Sequence, residues 1–66
     1  MDYTEWGKNY LDEANALKER IAPLKRELKT AEREAAPLLF RRIVLLEEMY
    51  LDCLHTGKYL IKRAKI

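Results

Sequence analysis

The 66-residue sequence holds one cysteine, one histidine, two glycines and two prolines. A lone Cys53 permits no internal disulfide and no cysteine-rich zinc site, which fits a reducing compartment. No apolar run approaches the ~20 residues that span a bilayer. Asp2, Glu5, Asp12 and Glu13 interrupt the first twenty residues, where a signal peptide needs a continuous apolar stretch. A cytoplasmic chain without membrane attachment is therefore expected. Gly7 and Gly57 stand alone, so there is no glycine-rich phosphate loop. Cys53 has no convincing base to activate it, and neither catalytic residues nor a cofactor are expected. Thirteen Lys and Arg against eleven Asp and Glu leave a net charge of +2, too little to argue for nucleic acid.

What is abundant is helix-forming composition: 36% of the residues are charged, and few are β-branched. Asp2 and Glu5 have capping-box spacing, so a first helix is expected over about 3–30. Thr30 is a candidate N-cap and Pro37 suits the first turn of a second helix, expected over about 37–65 after a turn near 31–36. Pro23 removes one backbone hydrogen bond inside the first helix and should kink it without ending it. Tyr3, Gly7, Tyr10, Ala14, Leu17, Ile21, Leu24, Leu28, Ala31 and Ala35 recur at alternating spacings of four and three, as do Leu39, Ile43, Leu46, Tyr50, Cys53, Gly57, Leu60 and Ala64. Two such seams imply an all-α, antiparallel two-helix hairpin with coiled-coil-like packing. If the chain folds back between residues 31 and 36, Gly7 meets Leu60, Tyr10 meets Gly57, Ala14 meets Cys53 and Leu17 meets Tyr50. The same register brings Lys18 near Glu47, Leu11 near Leu54, Glu27 near Arg42 and Trp6 near Arg63.

Seventeen of the 29 residues from 38 to 66 are apolar, against twelve of the first thirty. The second helix thus has more apolar surface than one partner helix can cover. Phe40, Val44, Leu51, Leu54 and Ile61 flank its seam on one side, Leu38, Leu45 and Met49 on the other, and Arg41, Glu48, His55 and Lys62 form a polar strip between them. A homo-oligomer, a dimer or higher, is the expected consequence, with Phe40, Val44, Leu45, Met49, Leu51, Leu54 and Ile61 at the interface. A heteromeric partner is the alternative.

Glu48, Asp52 and His55 have the helical spacing of metal ligands, but they face away from the seam and no metal site is expected. At the turn end Lys25, Arg26, Lys29, Arg33, Arg41 and Arg42 outnumber Glu27, Glu32 and Glu34, leaving cationic surface suited to an anion. At the open end Trp6, Tyr10, Tyr59, Lys58 and Arg63 join rings to bases, and Tyr59 has no reason within the hairpin to be aromatic. The candidate ligand-binding residues are accordingly Arg41, Arg42, Lys58, Tyr59, Arg63 and Trp6.

With Arg41-Arg42-Ile43, Leu45-Leu46, Met49-Tyr50-Leu51-Asp52-Cys53 and His55-Thr56-Gly57-Lys58-Tyr59-Leu60, the second half resembles the short helical proteins of bacterial prophages and mobile elements. The resemblance covers about the last 27 residues and transfers no assigned site residue. It implies an accessory or counter-defence role in the host cytoplasm, such as a sponge that binds a host nucleotide immune signal without cleaving it. Three functions compete: an oligomer sequestering a small anionic ligand, an inhibitor or adaptor docking a host protein through the apolar flank of the second helix, and nucleic-acid binding.

Overall fold

The computed structural model describes residues 2–65. Two helices, α1 (Tyr3–Thr30) and α2 (Ala36–Ala64), lie antiparallel in an all-α hairpin with extents of 50 × 14 × 14 Å. The Asp2 carboxylate caps α1 by accepting the Glu5 N–H at 3.0 Å, one of the amides the first turn leaves unpaired. α1 runs unbroken through Pro23. Thr30 does not cap α2, contrary to its reading as an N-cap. Its hydroxyl donates to the Glu27 carbonyl of its own helix, and Ala35 opens α2 without a side-chain cap. Pro37 does sit in the first turn, where its missing N–H costs nothing. The connection is extended at Ala31 and closes with the Ala35 and Ala36 N–H groups donating to the Glu32 carbonyl.

Ala14, Leu17, Ile21, Ile43 and Leu60, all seam residues, form the buried apolar core. At this size the core leaves Tyr10, Leu24, Leu28, Leu39, Leu46, Tyr50 and Cys53 half-buried. The helices approach closely at two glycines. A Cβ on Gly7 would lie 2.7 Å from the Gly57 carbonyl oxygen and 2.6 Å from Cγ1 of Ile61; one on Gly57 would lie 2.9 Å from the Gly7 oxygen and 2.8 Å from Cδ2 of Leu11. Gly7 and Gly57 therefore face each other's backbone, with Ile61 and Leu11 as their nearest side chains. Only residues without a Cβ permit that approach.

Candidate functional site

Three surfaces follow from this frame. At the open end, Tyr3, Trp6 and Tyr10 succeed one another at helical spacing, with ring centroids 6.1 Å (Tyr3–Trp6) and 6.4 Å (Trp6–Tyr10) apart. From α2, Arg63 donates from Nη1 to the Tyr59 hydroxyl at 3.2 Å, and its guanidinium lies 6.0 Å from the Tyr59 ring and 5.9 Å from that of Tyr3. The ring under Arg63 across the hairpin is thus Tyr3, not Trp6. Tyr59 gains a reason within the hairpin to be aromatic, since it holds Arg63 one turn away. The Tyr59 hydrogen bond, foremost, pushes the Arg63 guanidinium above its ordinary pKa. Asp2, Tyr3, Thr4, Arg63 and Ala64 line an open hollow of about 490 Å3 there. Trp6, Asn9, Tyr10, Glu13 and Cys53 line another of about 340 Å3, so Cys53 is half-exposed at a hollow rather than sealed against Ala14.

Toward the turn, Arg42 borders two hollows. The first, about 440 Å3, includes Glu27 and Glu32 beside Leu38 and Leu39, so its charge favours no anion. The second, about 370 Å3, is lined by Arg20, Pro23, Leu24, Arg42 and Leu46, which gives two guanidinium side chains and no carboxylate. Arg20 was not among the residues singled out from sequence. The signal was present, since Arg20 flanks the α1 seam on the side that faces Arg42 in an antiparallel pair.

The structure groups Trp6, Tyr59 and Arg63 in one neighbourhood, around the rings of Tyr3 and Tyr10, and leaves the other ligand candidates apart. Arg42 lies 21 residues before Arg63 along α2, about 30 Å at 1.5 Å per residue. Arg41 and Lys58 are exposed and line neither Arg42's hollows nor those of the open end.

The third surface is the outer side of α2. Leu38 (71% exposed), Phe40 (59%), Leu45 (55%), Met49 (52%), Leu51 (46%) and Val44 (36%) stand open to solvent, whereas the large exposed apolar residues of α1 are Tyr3 and Trp6. Leu54 and Ile61 are half-buried, and Ile61 packs over Gly7 inside the hairpin, so it serves the seam as well as the flank. Glu47 pairs with Lys25 at 3.2 Å, not with Lys18, which lies one heptad earlier on the same face. Among the described residues no three His, Cys, Asp or Glu side chains gather as a metal site, and no helix is long and apolar enough to cross a membrane. No protein-family model, curated protein or solved structure matches the chain.

Proposed function

We propose that the protein is a non-catalytic accessory protein that works by binding, and that its working unit is a helical bundle of two or more copies joined through α2. The band of open apolar side chains from Leu38 to Leu51 carries this reading. Such a band is costly in water and inexpensive between helices. Sedimentation over a wide concentration range tests it: association and a melting midpoint that rises with concentration are expected, and a 7.9 kDa species that melts independently of concentration overturns it.

The finer reading is sequestration of a small anionic ligand, such as a host nucleotide immune signal, as the resemblance to prophage proteins suggests. The Arg20–Arg42 hollow and the aromatic surround of Arg63 support it, because guanidinium groups hold phosphate and rings stack on bases. Calorimetry against cyclic and linear nucleotides, including cyclic ADP-ribose isomers, should find one that binds below about 100 µM, weakens about tenfold or more in Arg42→Ala or Arg63→Ala, and is recovered intact. Docking of a host protein into the α2 band takes its place if no nucleotide binds and the assembled protein still exposes Leu45 and Met49.

A further inference from the structure

Building on the self-association reading above, we infer that a second copy seats antiparallel on the Phe40 flank of α2, in a register set by Glu47 and Lys58. The flank is itself a heptad row: Phe40, Val44, Glu47, Leu51, Leu54, Lys58 and Ile61 recur at spacings of four and three, about 100° around the helix from the seam that grips α1. Turning this row end for end about the point midway between Asp52 and Cys53 makes it match itself. Val44 then meets the partner's Ile61, Leu51 meets the partner's Leu54, and Glu47 meets the partner's Lys58, each twice by symmetry. These are the layers an antiparallel coiled coil requires, one position of each kind facing the other kind across the pair. Phe40 falls opposite the partner's Lys65, a cation over a ring.

The charges choose the direction. A parallel pair stacks Glu47 on the partner's Glu47 and Lys58 on the partner's Lys58, two like-charge layers inside the contact, whereas the antiparallel pair turns both into ion pairs. The Glu47 carboxylate, already 3.2 Å from Lys25, then sits between two ammonium groups. In the rim strip Glu48 lies beside the partner's His55 and Arg41 beside the partner's Lys62, the latter a solvated like pair of small cost. The opposite flank offers a shorter match: Leu45 against the partner's Met49 and Arg42 against the partner's Asp52, with Leu38 reaching only Thr56. It supplies two apolar layers, Leu45 on Met49 twice, against four on the Phe40 flank, so the Phe40 flank is the stronger seat even with its Leu54 and Ile61 already half-buried.

Sedimentation equilibrium of the full chain tests the register, with circular dichroism confirming that each variant stays helical. Lys58→Glu sets two carboxylates together in each of two layers and should raise the dimer dissociation constant about tenfold. Adding Glu47→Lys restores opposite charges and should bring it back toward the parent value. Spin labels at Arg41→Cys in a Cys53→Ala background should stand about 35 Å apart along the helix axis, at 1.5 Å for each of the intervening residues. A dimer indifferent to Lys58→Glu, or labels within about 20 Å as in a parallel pair or a pair through the opposite flank, overturns this arrangement and leaves self-association standing. A chain that stays monomeric at millimolar concentration overturns both.

Discussion

The two helices are nearly equal in length, 28 and 29 residues, yet they divide their apolar side chains differently. α1 keeps its large aliphatic residues in or beside one stripe: Ala14, Leu17 and Ile21 are buried, and its exposed large apolar side chains are the rings of Tyr3 and Trp6 at one end. α2 contributes Ile43 and Leu60 to the same core and leaves six aliphatic or aromatic residues open between Leu38 and Leu51. A helix whose apolar arc is as wide as its seam is satisfied by one partner. One whose arc extends past the seam on both sides is not. The hairpin explains α1 and only half of α2, and the function proposed for the chain lies in the half it leaves unexplained.

The largest expected effect that sharpens this contrast is at Leu17, the largest side chain that is almost wholly enclosed. Truncation there removes packing that no neighbour can replace, so Leu17→Ala should cost about 2–5 kcal/mol. With so few buried residues, that loss should leave the chain mostly unfolded at dilute concentration, read as lost helicity in circular dichroism. Leu51→Ala makes the same deletion on the open side of α2, where Leu51 is 46% exposed, and should change hairpin stability by no more than about 0.5 kcal/mol when measured on dilute protein. Its effect belongs in the association constant. Equal losses at the two sites would erase the distinction between core and docking surface.

Next in size is the close approach of the helices. Any side chain at Gly57 meets the Gly7 carbonyl oxygen and Leu11, and a carbonyl in a helix does not step aside as a flexible side chain does. Gly57→Leu should therefore cost about 1–3 kcal/mol by overpacking, lowering the denaturant midpoint without changing the slope. Because Gly7 and Gly57 share one contact, substituting both should cost less than the two single losses added together.

Much of this arrangement was legible in the sequence, and the misses share a physical cause. The alternating spacing identified the core faces because one stripe must be buried whatever the register, and Asp2 was readable because a cap needs only local chemistry. Folding the chain back between residues 31 and 36 places Gly7 opposite Leu60, one residue from the Ile61 that the structure sets over it. The spacing alone does not show that Gly57's own backbone comes as near to Gly7 as that side chain does. Lys18 and Lys25 occupy the same heptad position, so the pattern gave the face on which Glu47 finds a lysine and left the reach of a flexible chain to select which one. Arg63 was assigned to Trp6 for a similar reason, with Tyr3 three residues away on the same helix. At the turn, Thr30 met the local rule for an N-cap, but α2 begins six residues later, at Ala36.

The smallest expected effect lies at the one helix start that carries a side-chain cap, and it separates the two helices again: α1 begins on the Asp2 carboxylate, and α2 begins on Ala35 with none. The hydrogen bond from the Glu5 N–H, joined by that from Thr4, holds the Asp2 carboxyl below its ordinary pKa. A carboxylate whose pKa is lower folded than unfolded contributes stability that is fully present above the unfolded value and is lost as pH falls through the folded one. Helicity near Tyr3 and Trp6 should therefore decline as pH falls past the ordinary carboxylate value of 3.8, read from Trp6 fluorescence against the far-ultraviolet signal of the whole chain. Asp2→Asn keeps a capping oxygen and removes the titration, so it should flatten the Trp6 profile. An identical profile in the two proteins would mean that the cap's charge does nothing for α1. The open-end cluster would then rest on Arg63 and the glycine crossing alone.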